Sequence, residues 1–345
     1  MTPNHLFPTA DPDRTLALEL VRATEAAAIN CSRLLGFGDK DAVDAAAVDA
    51  MRPVLGTVRM NGVVVIGEGE KDEAPMLYNA ERVGDGSGAE WDIAVDPVDG
   101  TTLTAKSLPD AISVLGVSPR GTMFSPGPAV YMRKLVVPSH VADQVDLDAP
   151  IGDTLTRIAK VSDRPVSDLT VAVLDRPRHN QIVTDIRRVG ARIRFLLDGD
   201  VAGAIMAVTP GTGVDLLVGI GGTPEGVLAA CALRCLDGEL IGRLVARNDD
   251  ERRTILDAGY DLDQVLTTTE LVSGDNVFFA ATGVTDGSLL NGVRFESHRI
   301  TTHSLSMRSR SGTVRLIEGR HDPERSSLAN HRLFTSLPAP DSHSA

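Results

Sequence analysis

Three short segments set carboxylates beside glycine turns: "GEGE" at 67–70, "DIAVDPVDGTT" at 92–102 and "DGD" at 198–200. Each follows an apolar run that reads as a strand. Carboxylates gathered at strand ends lose hydration and repel one another, so they must be protonated, spread apart or neutralised by cations. Oxygen donors with no Cys or His nearby favour hard divalent ions such as Mg²⁺ or Mn²⁺ over zinc. The spacing in D-P-V-D adds geometry. Pro97 fixes its own φ and disfavours helix at Asp96, which lets Asp96 and Asp99 face one pocket across the turn. Gly100 permits a sharp exit, and Thr101 opens the next segment with a hydroxyl and a free N–H row of the kind that suits a phosphate. One Asp before Pro or Gly is an ordinary turn former. Three such turns at strand ends point instead to a metal-dependent enzyme.

The elements that must hold these acids can be read from hydrophobic periodicity. A helix is expected after Asp11 or Asp13, running to Gly36, and a second, Ala-rich one from Asp39 through "KDAVDAAAVDAMRPVLG". "GVVVIGEGE" reads as a strand and "APMLYNAERVG" as a helix. "WDIAVDP", "AISVLGVSP" and "AVYMRKLVVP" read as further strands. Near residue 148 the pattern changes. A helix and connector lead into three strand–helix units, and "NVFFAATGV", "GVRFESHRITTHSLSMRS" and "GTVRLIEGRH" add late strands. The alternation predicts a layered α/β protein whose sheet is covered by helices. We expect a loose arm over 1–13, two α/β domains at 14–150 and 151–321, and a fraying tail over 322–345.

Bulk composition narrows the function. The chain has 345 residues, and only 3% are aromatic, so its core must be aliphatic. A net charge of −13 disfavours nucleic acid as a partner. It would also repel a small anionic substrate unless metal ions or clustered arginines compensate locally. Cys31 stands alone, and Cys231 and Cys235 lie four apart in "VLAACALRCL", which reads as core helix and not as a disulfide framework. No basic segment precedes an apolar run at the start and no 18-residue apolar stretch occurs, so a soluble, reduced, cytoplasmic protein without membrane contact is expected.

Together, "VVIGEGEKDEAPMLYNAERVG", "DIAVDPVDGTT", "YMRKL", "RPRH", "DGDVAGAI" and "GIGGTPEGV" resemble the class II fructose-1,6-bisphosphatases over roughly residues 14–321. The larger group of lithium-sensitive, metal-dependent sugar and inositol phosphatases shares only the D-P-[IVL]-D-G-[ST] core. The resemblance implies stacked α-β-α-β-α layers with mixed sheets, Mg²⁺ or Mn²⁺, and a homo-oligomer, dimer or tetramer. It implies release of the 1-phosphate of fructose 1,6-bisphosphate in gluconeogenesis. Sedoheptulose 1,7-bisphosphate, inositol phosphates and binding without turnover are the alternatives.

By the same resemblance, Asp44, Glu68, Asp96 and Glu225 match metal ligands. Asp99, Gly100 and Thr101 match the segment meeting the reacting phosphate, with Asp99 and Thr101 catalytic. Tyr131, Arg176, Pro177, Arg178, Asp198, Gly199, Asp200 and Gly222 match positions that hold the sugar and its remote phosphate, and Lys40 matches an active-site lysine. The family often has Lys-Pro-Arg where this chain has Arg176-Pro177-Arg178, which bears on fine specificity. Taken singly, Asp44 reads as a solvated helix face, Glu225 as a complement to a helix dipole, Tyr131 as strand packing, and His179 as a general acid or, more readily, a surface residue. "GIGGTPEG" lacks both nucleotide-binding glycine patterns.

Overall fold

Short apolar strands, most with turn residues at their ends, build two sheets in a computed structural model that describes residues 15–69 and 76–326. The arm, the far tail and the E-K-D-E-A-P string at 70–75 lie outside the described residues, as does the expected helix start at Asp11 or Asp13. In chain order the helices are α1 (Leu16–Cys31), α2 (Lys40–Leu55), α3 (Thr101–Ala105), α4 (Ile151–Val161), α5 (Asn180–Arg188), α6 (Asp200–Val208), α7 (Thr223–Leu236), α8 (Asp249–Asp257) and α9 (Thr268–Leu271). The strands are β1 (Asn61–Ile66), β2 (Arg82–Val83), β3 (Glu90–Asp99), β4 (Ile112–Pro119), β5 (Tyr131–Pro138), β6 (Thr170–Leu174) and β7 (Arg192–Leu196). They continue with β8 (Leu216–Gly222), β9 (Gly238–Val245), β10 (Leu266–Thr267), β11 (Phe278–Gly283), β12 (Arg294–Glu296), β13 (Arg299–Arg308) and β14 (Thr313–His321).

The first sheet runs β12-β13-β11-β4-β3-β1-β2, with β14 paired to β13, and the second runs β10-β9-β5-β8-β6-β7. Pairs β1–β3, β6–β7 and β6–β8 are parallel and the others antiparallel, so both sheets are mixed. The first sheet is not contiguous in sequence: β5 to β10 form the second sheet, and β11 to β14 return to the first after the second is complete.

Helices fill the gap between the sheets and cover both outer faces. Helices α1 and α2 pack on the first sheet through Leu20, Ile29, Met51 and Leu55, all buried. α6 and α7 lie between the sheets, joining Ala94 and Val114 of the first to Met132 and Val136 of the second. α4 and α5 cover the far side of the second through Leu155, Ile158 and Ile186. This is the expected five-layer stack. Each fully buried aliphatic side chain contributes about 1.5–3 kcal/mol. The central contact is close: a Cβ at Gly116 in β4 would strike the Cys231 side chain of α7. Cys31, Cys231 and Cys235 are free and buried, as composition implied. Among the described residues no helix is long and apolar enough to cross a membrane.

One expected helix does not form. The described part of "APMLYNAERVG" is a loop ending in β2, with left-handed φ at Leu77 (57°) and Ala80 (70°). Its backbone is committed elsewhere. The Leu77 carbonyl accepts from the Glu68 N–H at 2.9 Å, and the Asn79 and Ala80 N–H groups donate to Gly69 and Val64. These non-local bonds displace the i→i−4 ladder that a helix needs. The sequence reading also passed over β9, β10, α8 and α9.

Candidate active site

The D-P-V-D segment shows how the backbone aims its acids. In a regular strand, positions three apart point to opposite faces. Here Asp96 pairs with Val114 while Asp99 pairs with Ile112, so β3 carries one extra residue across Pro97-Val98. Pro97 has no N–H to give to the ladder, and Asp96 Oδ1 takes the Val98 N–H at 2.9 Å. The bulge returns Asp96 and Asp99 to one side, where both line a cavity of about 500 Å³.

Other elements close on the same space. Gly67 and Glu68 follow β1, and Gly67 is pinned through its N–H to Asn79 Oδ1 at 3.1 Å. Asp44 comes from the second turn of α2, whose start is capped by Asp39 accepting the Ala42 N–H. Asp44 Oδ1 accepts the Thr101 hydroxyl at 2.8 Å. The second sheet supplies Tyr131 from the start of β5, Arg176 and Arg178 after β6, Asp198, Gly199 and Asp200 after β7, and Gly222 and Glu225 where β8 meets α7.

Two helices whose starts meet at the cavity exchange caps. α3 and α6 each start at a glycine in left-handed φ, Gly100 at 100° and Gly199 at 71°, and neither has a capping side chain of its own. The Thr102 N–H instead donates to Asp198 Oδ2, and the Ala202 N–H donates to Asp99 Oδ2, each at 3.2 Å. An aspartate from one sheet thus caps the helix on the other. The expected row of free N–H groups at Thr101 is in part occupied, because Asp198 takes the Thr102 donor.

Burial raises every acid of the first wall above its usual range. The Glu68 carboxyl is pushed up to about 7 by burial and then by the Asp44 charge. Asp44 is raised by burial, partly offset by its Thr101 hydrogen bond. Asp96 rises through burial, then the charges of Asp99, Glu68 and Glu225, and Asp99 through burial and the charge of Asp200. Glu225 is raised by burial and Asp200, with Lys134 opposing. Glu225 Oε2 and Asp200 Oδ1 are buried with no hydrogen-bond partner among the described residues. Among those residues no three acids, histidines or cysteines stand as a ready-made cage, and the carboxylates are spread around the cavity wall. Such a wall is an oxygen-rich surface on which Lys134 pairs with Asp200 and Arg176 with Asp198.

The family described as "Bacterial fructose-1,6-bisphosphatase, glpX-encoded" matches residues 14–321. The chain is 43% identical over 329 residues to "Fructose-1,6-bisphosphatase 1 class 2" of Escherichia coli (strain K12), covering 90% of this chain and 98% of that relative. The "Fructose-1,6-bisphosphatase class 2" proteins of Escherichia coli O6:H1 and Shigella flexneri match at the same identity and coverage. The chain belongs to the class II fructose-1,6-bisphosphatase family.

Within this family frame, the cavity gathers Asp44, Glu68, Asp96, Asp99, Gly100, Thr101, Tyr131, Arg176, Arg178, Asp198, Gly199, Asp200, Gly222 and Glu225. It does not gather Pro177, which turns the chain between the two arginines, or Lys40, whose charge nonetheless acts on Asp44. His179 is not on the surface. It is fully buried, with Nδ1 bonded to the Leu174 carbonyl at 2.8 Å and Nε2 accepting the Ile220 N–H at 2.8 Å. Both ring nitrogens are used in fixing β6 against β8, so it has no proton-transfer role here. A larger cavity of about 710 Å³ lies at the other end of the second sheet. Its Arg164 and Arg192 bond Asp215 and Asp168.

Two residues escaped the sequence reading. Arg247 lies over the Tyr131 ring at 5.0 Å, with Arg178 at 5.7 Å from the same ring, and is tied to Glu251. Lys134 lies under the cavity, bonded to Asp200 Oδ2 at 2.8 Å. An exposed arginine in a loop carries no local signal. Lys134 did carry one, because it shares a strand face with Met132 and Val136, where a charge is out of place.

Proposed function

We propose that the protein hydrolyses the 1-phosphate of fructose 1,6-bisphosphate, giving fructose 6-phosphate and inorganic phosphate in gluconeogenesis. One observation carries this reading: a single cavity of about 500 Å³ is lined both by a group of carboxylates and by two arginines and a tyrosine, a lining that suits a substrate with two phosphates. The acid wall suits Mg²⁺ or Mn²⁺, because its donors are all oxygens and buried carboxylate oxygens are left without partners. Asp44, Glu68, Asp96 and Glu225 would hold the ions. When bound, such ions neutralise phosphate oxygens, acidify water and stabilise a leaving alkoxide.

The chain's own groups do the rest. Thr101 orients the attacking water, and its hydroxyl has a carboxylate relay in Asp44 at 2.8 Å. Asp99 is held in place by the Ala202 N–H, so the reacting end of the site is rigid before substrate arrives. Arg176 and Arg178 bind the remote phosphate. Both are pre-aimed by backbone carbonyls, Arg176 by Leu197 at 2.8 Å and Arg178 by Ile220 at 2.9 Å, and Arg176 also donates to Asp198 Oδ1 at 3.2 Å. Binding at the remote end is thereby available to orient the reacting one. In this reading the first sheet with α2 carries most ion-binding acids, and the second holds the sugar. We place the enzyme in the cytoplasm as a homo-oligomer, which light scattering checks.

The test is phosphate release from fructose 1,6-bisphosphate with Mg²⁺ or Mn²⁺, with and without EDTA. Metal-dependent release supports the reading. Release preferring sedoheptulose 1,7-bisphosphate or an inositol phosphate would redirect the substrate, and calorimetric binding with no release at any metal level would overturn catalysis.

A further inference from the structure

Lys134 is buried, 2% exposed, on the β5 face that carries Met132 and Val136 into the apolar layer between the sheets. Its ammonium bonds Asp200 Oδ2 at 2.8 Å and the Gly222 carbonyl at 3.0 Å. The strand neighbours leave room for it. Lys134 pairs with Gly219 on β8 and Gly242 on β9. A Cβ at Gly221 would strike Asp200 Oδ2 and lie 3.0 Å from Lys134 Cε. The ion pair therefore sits directly behind the cavity lining. Among the described residues of that lining, Arg176 and Arg178 are the basic ones.

Stability gives weak reason for such a pair. A buried ion pair is often matched or bettered by apolar residues of similar volume. The arrangement of its oxygens gives a stronger one. Lys134 holds one oxygen of the Asp200 carboxylate, and the other, Oδ1, is buried without a partner while Asp200 lines the cavity.

We propose that Lys134 is a positioning residue that fixes Asp200 where it lines the cavity, so that its carboxylate is held in place for a hydroxyl of the bound sugar phosphate. The ammonium does not touch substrate; it acts through Asp200. It clamps the carboxylate from behind and, through the Gly222 carbonyl, ties the end of β8 to the start of α6. This rests on the reading of Asp200 as a sugar-binding residue.

A mutant cycle in the full-length protein tests it: Lys134→Met, Asp200→Asn and the double variant, with phosphate release from fructose 1,6-bisphosphate as readout. Each single variant should lower kcat/KM about ten- to a hundredfold, the cost of a lost hydrogen bond to a charged group, mainly by raising KM. The double variant should be no worse than Asp200→Asn, because Lys134 has nothing left to position. Losses that multiply in the double variant, or a Lys134→Met protein that melts earlier with unchanged KM, overturn the proposal. Should Lys134→Met fail to fold, Lys134→Gln keeps a neutral donor and completes the same cycle. If the parent releases no phosphate, the functional reading fails by itself. The cycle then uses calorimetric Kd for fructose 1,6-bisphosphate, with the same pattern supporting or refuting Lys134.

Discussion

Replacing Glu68 by Gln separates the stability of the acid wall from its function. Burial, and then the Asp44 charge, raise the Glu68 carboxyl from 4.5 to about 7 in the metal-free protein. The folded chain therefore holds this proton more tightly than the unfolded chain does. The resulting stabilisation is full below pH 4.5 and is lost as pH rises through about 7. A shift of that size corresponds to about 3 kcal/mol. However, the Glu68 side chain opens onto the water of the cavity, and screening there reduces the expected effect to about 1 kcal/mol. Gln carries no charge at any pH and escapes the loss. Metal-free Glu68→Gln should thus melt roughly 1–2 °C above the parent at pH 8 and level with it near pH 5. Added Mg²⁺ should raise the parent's Tm more than the variant's, and the variant should lose metal-dependent phosphate release. Scanning calorimetry in EDTA at both pH values, repeated with Mg²⁺ and paired with the phosphate assay, measures all of this. A variant less stable than the parent at pH 8, or one with normal turnover at ordinary Mg²⁺, refutes the reasoning.

Three other changes probe separate parts of the site. Thr101→Val removes the hydroxyl bonded to Asp44 and should lower kcat about a hundredfold or more with little change in KM, while Thr101→Ser keeps most activity; steady-state kinetics decide. Arg178→Ala should raise KM for the bisphosphate far more than for a sugar monophosphate, and equal effects on both would remove it from the remote-phosphate clamp. His179→Ala strips partners from the Leu174 carbonyl and the Ile220 N–H and should destabilise the fold by about 2–4 kcal/mol in urea, while kcat of the folded fraction stays near the parent's.

Much of the scaffold was legible because local rules and tertiary demands agreed. Asp39 caps α2 as its position before an Ala-rich run predicts, and the apolar runs at β1, β3 and β4 are strands. The loop at 76–80 was not legible, because its carbonyls and N–H groups serve the Glu68 turn, several residues away, and periodicity sees only neighbours. His179 was misjudged for a related reason. A histidine next to two arginines looks solvated in sequence, yet the ring turns inward to join β6 and β8.

Residue type and spacing alone determined that oxygen donors and glycine turns would stand at strand ends, and that Pro97 would keep Asp96 out of a helix and let Asp96 and Asp99 face one pocket. These follow from bond geometry and from which atoms can donate or accept. Only the tertiary structure decided which strand ends meet. The exchange of caps between Asp99 and Asp198, the Thr101–Asp44 bond and the Lys134–Asp200 pair join residues separated by between 57 and 103 positions or lying on different elements. Such contacts are set by how two mixed sheets close around a shared helical layer, where packing of whole elements, and no local preference, fixes which carboxylates share one space.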